Sequence, residues 1–231
     1  MSNSPLISYT RISPNSSPRT DIIRKITPHH TAGRISVESL GEIFAPASRK
    51  ASANYGIGFN GRIALFVDES RSAWTSSSSA NDNQAVTIEV SNESSGGDWP
   101  VSDLVFESLV KLCVDICQRN KINGLIYTGA SDGTLTHHNM FAATACPGPY
   151  LQRNMALLAQ RVNEVLIPKI PEAIADRPSP WAVDAWAWAT GLRLPNGAVF
   201  MDDRMPQGPV TREMMAALFY RFAMLDVGDG K

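Results

Sequence analysis

Between residues 21 and 166, stretches in which apolar and polar residues alternate take turns with stretches whose apolar residues recur at helical spacing. A chain patterned in this way stacks helices on a sheet, so the fold class to expect is α/β. Residues 21–27 (DIIRKIT) read as a strand that runs directly into Pro28, His29, His30 and Gly33, which puts the histidines at a strand end. Ser36 heads a helix to about residue 45, because its hydroxyl can accept from the free N–H groups of a first turn, and Pro46 stops it. The run YGIGFNGRIALFV holds two alternating segments around Asn60-Gly61, a dipeptide that tolerates the positive φ of a tight turn, and predicts a β-hairpin. Residues 76–83, rich in Ser, Asn and Asp and without periodicity, read as a surface loop, followed by a strand at 85–90. Ser102 caps a long helix to about residue 120, with Val105, Leu109, Leu112 and Ile116 on one stripe. A short strand in GLIYT and an amphipathic helix over about 153–166 complete the pattern.

The 231 residues suffice for one domain with a substantial core plus a small module. A net charge of -1 offers no basic footprint for phosphate backbones, so no nucleic-acid partner is expected. No apolar run is long enough for membrane insertion. The polar, Pro/Ser-rich start lacks the basic cluster and apolar stretch of a secretory signal, so the expected location is the cytoplasm. Three cysteines make no disulfide framework, and Cys113 and Cys117 sit in a helical apolar stripe and belong to a core. Four prolines within residues 168–180 resist regular structure. The expected organisation is therefore a main domain at 1–168, a linker at 169–180 and a helical module at 181–231, in which Trp181, Ala185 and Trp188 recur at helical spacing and Thr211 can cap a second helix.

All four histidines fall in two doublets, His29-His30 and His137-His138, and Cys146, the one cysteine outside an apolar helix, follows the second closely. Zinc favours imidazole and thiolate, and a catalytic site takes three protein ligands and keeps a fourth position open. Two His and one Cys meet that count. Exposed histidine pairs on loops and a merely buried cysteine would give the same spacing. Pro28 and Gly33 around the first doublet, and Pro147-Gly148-Pro149 after the cysteine, constrain the backbone in a way that suits preorganised ligands.

The strings ITPHHTAG, SANYGIGFNGRIALFVDE, NDNQAVTIEV, WPVSD, DICQRN and HNMFAATACPGPYL closely resemble the peptidoglycan-recognition-protein-like amidases, in particular endolysins of phages and prophages of Gram-positive bacteria. The resemblance covers roughly residues 8–152. It implies a central mixed β-sheet flanked by helices, and one zinc ion held by His29, His138 and Cys146, with His30 and His137 as neighbours. The implied activity is hydrolysis of the amide between the lactyl group of N-acetylmuramic acid and L-alanine, the N-acetylmuramoyl-L-alanine amidase reaction. Tyr55 matches a tyrosine the family uses near the zinc, and Glu89 a glutamate close to the metal. Thr144 matches a position where some members carry lysine, so only a neutral hydrogen bond is available there. Trp74 and Trp99 would either flank a groove and stack on sugar or stem peptide, or pack in the core.

The segment from Ser179 to Phe222 resembles one S-layer homology repeat. That implies binding to a secondary cell-wall polymer of Gram-positive bacteria, although such repeats usually come in threes; self-association into a homo-oligomer is the alternative. The resemblance as a whole implies an endolysin made in the cytoplasm of an infected or lysogenic host and reaching peptidoglycan through a membrane pore. A muropeptide-recycling amidase and a non-catalytic peptidoglycan-binding protein are the competing expectations.

Overall fold

The computed structural model describes residues 2–166, Pro180, 183–191 and Arg193. The chain divides into two compact units, Met1–Ile167 and Pro168–Lys231. In the first, strands β1 (Ile7–Thr10), β3 (Lys25–His30), β4 (Tyr55–Ile57), β5 (Ile63–Leu65) and β7 (Ala85–Val90) form one sheet in the order β1-β5-β4-β7-β3. Only the β4–β5 hairpin is antiparallel, so the sheet is mixed. Two short strands, β2 (Ser16–Pro18) and β6 (Arg71–Ala73), pair separately. The helices are α1 (Val37–Phe44), α2 (Ser79–Gln84), α3 (Asp103–Asn120) and α4 (Gly148–Leu166), with short 3-10 turns at Ala47–Arg49 and His138–Met140.

Each face of the sheet carries its own core. On one, Tyr55, Ile57, Ile63, Leu65, Ile88 and Val90 pack with the apolar stripes of α3 and α4, Cys113 and Cys117 among them. On the other, Ala53, Ala64 and Phe66 meet Val37, Leu40 and Phe44 of α1. That second approach is so close at β4 that a Cβ on Gly56 would lie 2.7 Å from Leu40 Cδ2 and 2.5 Å from Phe66 Cε2. The caps read from the sequence hold: the Ser36 hydroxyl accepts from Ser39 N–H, and that of Ser102 from Val105 N–H. Gly61 takes φ 75 in the hairpin turn.

Three expectations need correction. Residues 76–83 are not simply a surface loop: Ser78 caps α2, and Asn81 and Asp82 are buried. Asp82 accepts from Thr75 N, Ser76 N and the Ser76 hydroxyl, so a segment without apolar periodicity is folded by polar contacts. GLIYT is not a strand, because the Asn163 side chain of α4 takes both the N–H and the carbonyl of Leu125. The place beside β3 goes instead to Leu135, which bridges Ile26. Finally, β3 continues through Pro28 to His30. It is an edge strand, and Ile26 N bonds outward to Thr134, so two residues on the missing N–H of Pro28 also faces away from β7 and breaks no bond to it.

In the second unit, helix α5 (Val183–Gly191) is described, with Trp188 60% exposed. The linker prolines 168, 171 and 178, Trp181, the helix expected after Thr211 and most of the repeat-like segment lie outside the described residues. Among the described residues no helix is long and apolar enough to cross a membrane.

Candidate metal centre

Because His29 and His30 lie within a strand, their side chains point to opposite faces, and strand pairing decides which one meets the rest of the site. His29 stands in register with Glu89 of β7, and Glu89 with Gly56 of β4. All three occupy the face on which α1 packs. His30 turns to the other face, where its ring meets Trp99 edge-on at 4.9 Å and a Cβ on Gly148 would lie 3.1 Å from its Nδ1.

The other two members of the trio come from the loop before α4. His137 has extended backbone and is buried with its Nε2 3.1 Å from the Tyr127 hydroxyl, whereas His138 opens the 3-10 turn and places its ring 4.7 Å from that of His29. Asn139 N–H donates to the Cys146 carbonyl, Cys146 N–H to the Thr144 hydroxyl and Gly148 N–H to the Ala145 carbonyl. Gly148, at φ 80, completes the turn expected from Pro-Gly-Pro. Cys146 Sγ thereby comes 3.4 Å from His29 Nδ1, and one ligand atom from each of His29, His138 and Cys146 lies within 4.8 Å of the other two.

The chemistry of this set fits a metal ion. His29 Nε2 and His138 Nε2 are buried without a hydrogen-bond partner, as are His30 Nδ1 and His137 Nδ1 outside the trio, a state that folded proteins rarely leave uncompensated. Burial, then the charges of His138, His30 and His137, push the His29 imidazole well below its ordinary range, and burial lowers His138, so both rings present neutral lone pairs. Burial and the nearby Glu89 raise the Cys146 thiol, while the His30 backbone N–H pulls the other way. A dication among these groups would favour the thiolate and take a lone pair from each of the two imidazoles.

The structure brings Glu89 beside the trio, half-buried on the same sheet face. Burial pushes its carboxyl up to about 8, opposed by Arg49. Thr144 is exposed, and its hydroxyl accepts from the Cys146 backbone, so it shapes the ligand turn. Tyr55 is not brought to the site. It is fully buried on the α3 side of the sheet, where its hydroxyl donates to Glu69 Oε1 at 2.7 Å and accepts from Ser4 N–H. Glu69 in turn is gripped by Arg119 and Asn120, so Tyr55 belongs to a buried charge network. Asp82 was missed from the sequence: its charge reaches His138 from α2. Its Ser/Asn-rich surroundings gave no sign of this.

Among solved structures, the PlyG catalytic domain shares the fold with a TM-score of 0.54 and 14% identity, over 71% of this chain and 99% of that one. PlyL does so at 0.52 and 16%, over 68% and 97%. The Staphylococcus aureus hydrolase AmiA, solved in complex with its ligand, does so at 0.50 and 16%, over 69% and 82%. No curated protein matches. Residues 18–149 match the family described as N-acetylmuramoyl-L-alanine amidase, a span that holds β3, β7, the 3-10 turn of His138 and Cys146. The chain belongs to the N-acetylmuramoyl-L-alanine amidase family and is an enzyme of that class.

Proposed function

We propose that the protein is a zinc-dependent endolysin that cleaves the amide between the lactyl group of N-acetylmuramic acid and L-alanine in Gram-positive peptidoglycan. The observation that carries this reading is the trio of His29, His138 and Cys146, one ligand atom of each within 4.8 Å of the other two, with Glu89 in register with His29 beside it. The three side chains would hold the ion. Zinc, when bound, supplies Lewis acidity for the scissile carbonyl and makes water more acidic. Glu89, with a carboxyl near neutrality in affinity for protons, accepts the proton of the attacking water and returns it to the departing amine nitrogen of L-alanine. The charge of Arg49 opposes the effect of burial on Glu89. Thr144 holds the turn that presents Cys146.

The same proposal takes the protein to accumulate in the cytoplasm of its host and the segment at 181–231 to bind a wall polymer or a second copy of the chain. Incubated with Gram-positive walls, the zinc-loaded protein should release new N-terminal L-alanine without new reducing sugar ends. Wall clearing that exposes no L-alanine refutes the reading. Faster release from soluble muropeptides than from intact walls points to recycling in place of lysis.

Tyr55→Phe separates the catalytic expectation for this residue from its observed place. Losing the hydroxyl leaves Ser4 N–H and one bond of Glu69 unmatched, at a cost of about 1–3 kcal/mol. The urea midpoint should drop while metal content and the turnover rate stay at the wild-type level. A large fall in turnover in a protein of unchanged stability would return Tyr55 to the catalytic set.

A further inference from the structure

A hollow of about 590 Å³ opens beside the turn between β6 and α2, and none of the three metal ligands lines it. Its wall includes Trp74, Thr75, Ser77, Ser78, Asp82 and Lys50. Trp74 is 40% exposed, yet its ring is fixed, since Nε1–H donates to the Ser17 hydroxyl at 2.8 Å and the backbone N–H to Ser52. A large apolar ring held rigid and left open to solvent is a platform for a ligand with an apolar face. Around it stand hydroxyls, and that of Ser77, on a residue at φ 60, has no protein partner. Both carboxylate oxygens of Asp82 are taken up by Thr75 and Ser76, which leaves Lys50 as the one charged group in the wall not already matched. A single cation with many hydroxyls suits a neutral, hydroxyl-rich ligand better than a polyanion.

Two links tie the hollow to the site described above, Thr75 and Asp82. The Thr75 hydroxyl lies 2.8 Å from that of Thr87, which sits two residues before Glu89 on the same face of β7, a step of about 7 Å along the strand. Asp82, in its wall, is the carboxylate whose charge reaches His138.

We propose that this hollow is a glycan subsite, in which Trp74 stacks on the C–H face of an N-acetylhexosamine adjoining the muramoyl unit and the surrounding seryl and threonyl hydroxyls bond its polar edge. The assignment rests on the amidase reading, but its test does not require catalysis. With the full chain labelled at indole nitrogens, triacetylchitotriose should shift the Trp74 resonance in a saturable way; the resonance is identified by its loss in Trp74→Phe. Trp74→Ala should weaken that binding about tenfold or more, and raise KM on glycan-linked substrate with kcat kept, while Trp74→Phe, which retains a ring, stays within a few-fold of wild type. Trp74 unmoved by chitotriose, or moved only by the stem tripeptide, overturns the glycan assignment. A protein that cleaves walls with Trp74 unmoved loses the subsite alone; one that binds chitotriose through Trp74 and cleaves nothing loses the amidase reading alone.

Discussion

Cys146→Ser is expected to lose stoichiometric metal, and with it more activity than the about 10–100-fold that goes with residues that only orient a ligand. The hydroxyl matches the thiol closely in shape but stays protonated where a thiolate would form, so the set keeps two neutral nitrogens and no anion. Metal analysis after gel filtration reads the first effect and release of N-terminal L-alanine the second. Thermal unfolding guards against a folding defect: an ion bound by the folded state alone would stabilise it, so a chelator should lower the Tm of the wild type and leave that of Cys146→Ser unchanged. His30→Gln and His137→Gln should retain the metal, because these rings turn to Trp99 and Tyr127 respectively. A Cys146→Ser protein that still binds one ion tightly and cleaves amide would refute the assignment.

The doublets show where sequence reasoning stopped. Each offered two candidates, and only family resemblance favoured His29 and His138. Physical selection came from alternation along β3 for the first pair and from the fold of the 138–146 loop for the second. Neither was legible, because the strand appeared to stop before Pro28 and an edge position that tolerates proline is a property of the assembled sheet. Tyr55 fell to the same cause. Its hairpin was readable from Asn60-Gly61, but the face its odd-numbered residues take depends on pairing with Ile88 of a strand far along the chain. Elements whose signals are local, such as the Ser36 and Ser102 caps, stood as read. Those set by remote side chains did not: Asn163 kept residues 124–128 out of the sheet, and α2 formed around Asp82. Strand β1 also went unread, since four residues with alternating half-exposed and exposed side chains leave little apolar pattern.

Glu89→Gln tests the remaining member of the site, with two expected effects. Activity should fall by about 10²–10⁴, the range for removing a positioned proton carrier. In metal-free protein the pH dependence of stability should change as well. Burial raises the Glu89 carboxyl from 4.5 to about 8, with Arg49 opposing. As pH climbs past the lower value the unfolded chain gives up this proton while the folded chain keeps it. Over that window the folded state binds more protons, so its stability falls as pH rises, at most by about 1.4 kcal/mol per unit for one group. Below the window both states are protonated, and above it both are ionised, so no further change accrues. His29 pulls in the opposite sense, since its lowered affinity makes the folded state bind fewer protons below its ordinary value of 6.5. That contribution is shared by both proteins and cancels in their difference. The Tm of metal-free wild type should therefore decline relative to Glu89→Gln through this window and run parallel to it above. A bound dication favours the carboxylate in the folded state, so loading zinc should lower the upper end of this window and shrink the divergence. Parallel curves throughout, together with undiminished turnover, would remove Glu89 from the site.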